Sequence, residues 1–278
     1  MAADAAWEAL GHPPPVALAS TRAELHWAAQ VLAAAAAALI APAPDDSHTS
    51  LEWVAARAWL AGVRTPAGLR AALRPADLTL LALGEDDAPV AELPLAGRTL
   101  AEALDWMNGA LRAQAGVQLR LPSYEMPAHP VQQGARFFDD GASAAARAEL
   151  TRWYAAADHA LRTLARAAPG ASAVRCWPHH FDIATLLPGS SAAGSTVGIG
   201  LSPGDASYAE PYFYVTPWPY PRDPVPPPLP AGARWHREGW FGAVLTGTVV
   251  VDAAPSARGA AVASFMEAAV AACRSLLT

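Results

Sequence analysis

Apolar positions recur at helical spacing in four stretches of the chain, and shorter apolar runs punctuated by glycine, proline and acids lie between them. Leu25, Ala29, Leu32, Ala36 and Leu39 share one helical face. Pro42 and Pro44 end that helix, because proline removes an amide donor and collides with the preceding turn. Thr21 and Glu24 at its start have capping-box spacing, which predicts that they satisfy the first free amides. Thr99 and Glu102 repeat the pattern ahead of Leu100, Leu104, Met107 and Leu111. Ser143 is the expected cap of a long helix striped by Leu150, Tyr154, Ala157, Leu161 and Leu164. The closing helix, from about Ser256, carries Val262, Met266, Ala269, Cys273 and Leu276.

The intervening segments read as strands. Residues 48–60 hold one, and residues 78–83 and 89–95 form a hairpin across the acidic turn Gly84-Glu-Asp-Asp87. Extended chain is expected again near residues 174–187, 196–201, 212–216 and 243–251. Short connections favour antiparallel pairing, so the expected fold is α+β, with antiparallel sheet or sheets flanked by helices. Helix, strands, helix occurs twice, which suggests an internal duplication with halves at residues 1–135 and 136–278. Residues 217–230 contain eight prolines and are expected to form a stiff surface loop rather than a central strand. Within it, Pro226-Pro-Pro-Leu-Pro230 resembles a ligand for proline-binding modules.

Composition narrows the function classes. A chain of 278 residues that is 53% hydrophobic and 16% charged can bury a full core without disulfides or metal. All 19 basic residues are arginine. The absence of lysine excludes a Walker phosphate loop, pyridoxal-phosphate chemistry and Schiff-base aldolases. A net charge of −6 without a basic cluster argues against nucleic acid as a partner. Cys176 and Cys273 are too few and too far apart for a disulfide framework or zinc motif. The acidic start lacks the basic region of a signal peptide, and the apolar run from Trp27 to Ala43 is short for a membrane span. A cytoplasmic protein without membrane association is the expectation.

Side chains that are costly to bury or order concentrate between Trp177 and Trp218. Were residues 176–185 one strand, His180 and Asp182 would project from the same face. With His236 they could complete a two-histidine, one-carboxylate metal site, and Arg237 or Arg258 could anchor an acidic co-substrate. His26, Gln30, His48 and His129 form a second set, suited to zinc if they meet. Glu125 and His129, beside Tyr124 in a proline-bounded loop, can act as a general acid–base pair. Tyr212, Tyr214 and Trp218 can line a pocket for a flat ligand, with Glu210 holding its polar end. Ser202-Pro-Gly-Asp205 is a turn that needs positive φ at glycine. Gly198-x-Gly200 lacks the rest of a dinucleotide fingerprint, and no Gly-x-Ser-x-Gly elbow occurs.

At these motifs the chain resembles an uncharacterised bacterial family catalogued as domain of unknown function 5996. The likeness begins at Thr21-x-x-x-Leu25-His26-x-x-x-Gln30. It is strongest from Trp177-Pro-His-His-Phe-Asp182 through Ser202-Pro-Gly-Asp205 and Glu210-Pro-Tyr-Phe-Tyr214, and continues into Trp240-Phe-Gly-Ala243 and Phe265-Met266. Phe181 and Asp182 match the family pattern, whereas positions 179 and 180 are often small or polar there. The resemblance implies an architecture and no established activity.

The expected function is binding of a small polar or aromatic metabolite in a pocket between the halves. His26, Gln30, Glu210, Tyr212, Tyr214 and Trp218 would contact the ligand, and His180, Asp182, His129 and Glu125 would perform acid–base chemistry. One alternative is a metal-dependent enzyme using His180, Asp182 and His236; another is a non-catalytic interaction protein. The sequence specifies neither a cofactor nor an oligomeric state.

Overall fold

Alanine-rich stretches free of proline become helix, and leucine- and valine-rich stretches bounded by glycine or proline become sheet, in the computed structural model of this chain. It describes residues 3–111, 117–190 and 194–277. The helices are α1 (Ala3–Glu8), α2 (Ala19–Leu39), α3 (Leu100–Ala110), α4 (Gly141–Ala167), α5 (Gly247–Asp252) and α6 (Arg258–Ser275). β1 (Glu52–Val54), β2 (Trp59–Ala61), β3 (Arg70–Arg74), β4 (Thr79–Leu83) and β5 (Pro89–Pro94) form one antiparallel sheet in sequence order. The second sheet comprises β6 (Arg175–Trp177), β7 (Asp182–Pro188), β8 (Thr196–Ser202), β9 (Tyr212–Trp218), β10 (Arg234–His236) and β11 (Gly242–Thr246). Its order is β10-β11-β9-β8-β7-β6. The fold is therefore α+β, with antiparallel sheets and helices.

The chain divides into two compact units that are discontinuous in sequence, rather than into segments separated after residue 135. The first contains Ala17–Thr151 and Cys176–Phe181, and the second Met1–Val16, Arg152–Arg175 and Asp182–Thr278.

In the first unit, strand register places Leu60, Leu73, Leu80 and Leu93 on one side of the sheet, and Ala61, Ala72 and Leu81 on the other. All seven are buried. Edge strand β5 is blunted by Pro89, Pro94 and exposed Glu92, which discourages pairing with another chain. Thr99 and Glu102 form the expected capping box of α3: the Glu102 amide donates to Thr99 Oγ1 at 3.2 Å, and the Thr99 amide donates to Glu102 Oε2 at 2.6 Å. The Thr21–Glu24 box does not form. The short 3-10 turn Pro15–Leu18 leads directly into α2, so Thr21 already lies inside the helix. Glu24 is fully buried; it accepts from the Phe138 amide at 2.5 Å and pairs with Arg147 at 3.3 Å. At α4 the cap is Asp140 rather than Ser143, since the Ser143 amide donates to Asp140 Oδ1 at 2.8 Å.

In the second unit, Val197, Ile199, Leu201, Phe213, Val215, Ala243 and Leu245 share a buried face of the sheet. The rings of Trp7 in α1 and Trp153 in α4 pack on Phe213, with centroids 6.0 and 6.4 Å away. Helix α6 lies on β8, β9 and β11, and the Cys273 thiol donates to the Val215 carbonyl at 3.6 Å. Burial pushes that thiol up to about 12, so Cys273 acts as a small hydrophobe. β9 runs through Pro217, which pairs with Val197, despite the expectation that residues 217–230 avoid a central strand. The paired register with β11 ends at Val215, so Pro217 sits where only one side of β9 has a recorded pairing. Residues 247–252 are helix although Thr248-Val-Val-Val251 reads as strand. The Glu210 carboxylate accepts from the Thr248 amide and hydroxyl, both at 2.6 Å, and this long-range cap overrides β propensity.

Candidate functional site

The histidine-rich motif folds as a turn. The Pro178 ring provides no amide hydrogen, the amides of His180 and Phe181 donate to the Trp177 carbonyl at 3.2 and 2.7 Å, and Phe181 takes φ 56°. β6 ends at Trp177 and β7 begins at Asp182, so His180 and Asp182 do not share the single strand expected over residues 176–185. The turn is held by α2. His26 Nε2 lies 2.7 Å from the Pro178 carbonyl and Gln30 Nε2 donates to the same oxygen at 2.8 Å. His26 must therefore carry its proton on Nε2. The Tyr124 hydroxyl donates to Gln30 Oε1, and the Phe181 ring stacks on His26 at 5.3 Å and 10°. Burial pulls the His26 imidazole down to about 4, against the opposing effect of its bond to Pro178. It remains neutral at physiological pH and serves as a fixed donor.

His179 and His180 are exposed, with ring centroids 4.3 Å apart. Partial shielding of its ring from water, then the neighbouring His180, lowers the His179 pKa. His129 caps the short turn Pro130–Gln133 by accepting from the Val131 amide at 3.4 Å, and the edge-to-face Phe138 ring lies 5.2 Å away. Among the described residues its Nε2 is buried without a partner, and burial lowers its pKa. Glu125 is exposed. His48 accepts from the Ala43 amide at 3.2 Å. Among the described residues no three His, Cys, Asp or Glu side chains gather where they could hold a metal ion. The His180–Asp182–His236 set and the proposed histidine zinc set both fail on this geometry.

In the second unit, β9 presents Tyr212 and Tyr214 on one side, and each phenol donates to a carboxylate: Tyr212 to Asp205 and Tyr214 to Asp182. Asp205 comes from the Ser202–Asp205 turn, where Gly204 has φ 113° as expected, and also accepts from the amides of Ser207 and Tyr208. Gly200 makes room for this arrangement: a Cβ there would meet Tyr214 Oη at 2.6 Å. Burial, then the Asp205 charge, raises the Tyr212 pKa. His236 has both nitrogens engaged, with the Tyr208 hydroxyl at 2.9 Å and the Glu238 carbonyl at 2.6 Å, and its ring stacks on Trp240 at 4.2 Å. Sequence reasoning missed Asp205, Tyr208 and Trp240 as parts of this cluster. The Ser-Pro-Gly-Asp turn carried the signal for Asp205.

Several predicted site residues have other work. Glu210 caps α5, and Trp218 is exposed with Tyr220 against its edge at 5.5 Å. Arg258 does not await an acidic co-substrate. Its guanidinium is buried and donates to the carbonyls of Trp7, Glu8, Leu10, Val251 and Ala253. Arg237 donates to the Pro224 carbonyl at 3.4 Å.

The second unit also contains a cleft of about 860 Å³ between α4 and α6, and none of the predicted site residues lines it. Ala160, Leu164, Ala263, Met266 and Val270 contribute apolar wall, and Trp7 lies at one end. Small residues facing one another across two helices leave the space open. Glu8, His159, Glu267 and Arg274 also line the cleft. Among the described residues, no side-chain hydrogen bond or ion pair holds Glu8, His159 or Glu267, and Arg274 makes one, from Nη2 to the Pro188 carbonyl at 3.2 Å. Three ionisable side chains without a hydrogen bond or ion pair among the described residues thus line this cleft.

No protein-family model, no curated protein and no solved structure matches this chain. No helix among the described residues is long and apolar enough to cross a membrane.

Proposed function

We propose that the protein binds a small molecule with an apolar body in the cleft between α4 and α6. The supporting observation is that this cleft combines apolar walls with four ionisable side chains, three of them uncommitted among the described residues. Its volume of about 860 Å³ falls within the roughly 300–1,000 Å³ usual for ligand pockets. The resemblance to the uncharacterised family is part of the same proposal: the motif where it begins, at His26 and Gln30, and the one from which it is strongest, at Trp177, meet at the Pro178 carbonyl.

A thermal-shift screen against apolar and amphipathic metabolites tests this reading. A ligand at 100 times its dissociation constant should stabilise the fold by about 2.7 kcal/mol. Ala263→Trp, which fills the cleft from a half-buried position on α6, should abolish that shift, and the melting curve of the unliganded variant checks that it stays folded. A ligand that stabilises Ala263→Trp as well as the unsubstituted protein would place binding elsewhere.

A further inference from the structure

We infer that the cleft ligand is an elongated amphiphile with a single carboxylate, its head group paired with Arg274 and its apolar chain lying along α6 towards Trp7. The inference rests on the cleft being the binding site. Two features set the ligand's form. The α6 residues that line the cleft run from Gly259 to Arg274, fifteen residues at 1.5 Å each, or about 22 Å of helix axis. This favours a long, narrow ligand over a compact one. The wall along that path is largely apolar, with Ala263, Met266 and Val270 on α6 opposite Ala160 and Leu164 on α4.

The sign of the head group follows from which charge most needs a partner. Glu8 and Glu267 are exposed, so water already solvates their carboxylates. Arg274 is only half-exposed, and among the described residues its Nε is shut off from water with no acceptor. No carboxylate lies within ion-pair distance of it among the described residues. The guanidinium leaves donors unused among the described residues, and a carboxylate matches its planar fork. Arg274 does have a structural role, since a cation in the last turn of α6 suits the helix dipole and Nη2 reaches Pro188. That role uses one donor of five.

Isothermal titration with decanoate, decanol and decylammonium, on the unsubstituted protein and on Arg274→Gln and Ala263→Trp, tests the assignment. Decanoate should bind about ten-fold or more tightly than either analogue, as expected for one charge-assisted contact. Arg274→Gln should erase that preference, Arg274→Lys should restore part of it, and Ala263→Trp should remove binding. Comparison of the three ligands on the unsubstituted protein does not depend on how well any variant folds. Equal binding of all three would overturn the carboxylate assignment and leave the cleft as the site. Preference for decylammonium would overturn it in favour of the glutamates. No binding of any would overturn the ligand class, with the cleft itself then judged by the screen against Ala263→Trp. Undiminished binding to Ala263→Trp would overturn both.

Discussion

The imidazole of His26 and the carbonyl of Pro178 lie 2.7 Å apart, joining the middle of α2 to a turn 152 residues farther along the chain. Gln30, one helical turn on, donates to the same oxygen, so a carbonyl with two lone pairs is fully used. Two motifs that suggested chemistry when read separately are thus two sides of one structural contact.

Burial of the His26 ring makes stability depend on pH, and its bond to Pro178 only moderates the effect. The unfolded His26 takes up a proton near its ordinary value, whereas burial holds the folded group down to about 4. Between those values the unfolded chain binds more protons, so stability should fall as pH drops from about 7 towards 4. Loss of His26's contribution is on the order of 3 kcal/mol, and the lowered His129 acts in the same direction. Urea unfolding at several pH values, on the protein and on His26→Gln, checks this. The variant should be less stable at pH 7 and less sensitive to acid.

Phe181 supports the same turn from below. Its side chain is 1% exposed and stacks on His26, while its backbone adopts φ 56°. Phe181→Ala keeps the backbone demand and removes the ring. Chemical denaturation should show a loss of about 3–5 kcal/mol.

The tyrosine–aspartate pairs on β9 depend on missing side chains. A Cβ at Gly200 would lie 2.6 Å from Tyr214 Oη and 2.7 Å from the Ile183 carbonyl, and backbone cannot yield as a side chain can. Gly200→Ala should cost about 1–3 kcal/mol and displace Tyr214 from Asp182, read by thermal melting and by the chemical shifts of the tyrosine ring.

Glu210 is expected to matter for folding and not for ligand affinity. Removing its bonds to the Thr248 amide and hydroxyl in Glu210→Ala should cost about 0.5–2 kcal/mol, the usual range for a lost helix cap. Affinity for a cleft ligand, measured where the variant remains folded, should be unchanged.

Local signals in the sequence were largely honoured, and long-range contacts account for the departures. Thr99 and Glu102 cap α3 because both partners lie within one turn. Thr21 and Glu24 have the same spacing, yet Glu24 is taken by Phe138 and Arg147, more than a hundred residues away. The valine run after Thr248 looked like strand until Glu210 capped it. His180 and Asp182 looked like facing ligands until Pro178 and the positive φ at Phe181 turned the chain between them. The cleft was the least legible feature. It is a space bounded by alanines on two helices about a hundred residues apart, and small apolar residues on a helix otherwise read as ordinary packing.

A crystal structure of the protein saturated with a compound that raises its melting temperature tests the central claim most directly. Ligand density between Ala263 on α6 and Leu164 on α4, with Arg274 at one end, is the result this account requires. Density instead against His26 and Gln30, or over Tyr212 and Tyr214, would contradict it and return those side chains to the role of ligand contacts.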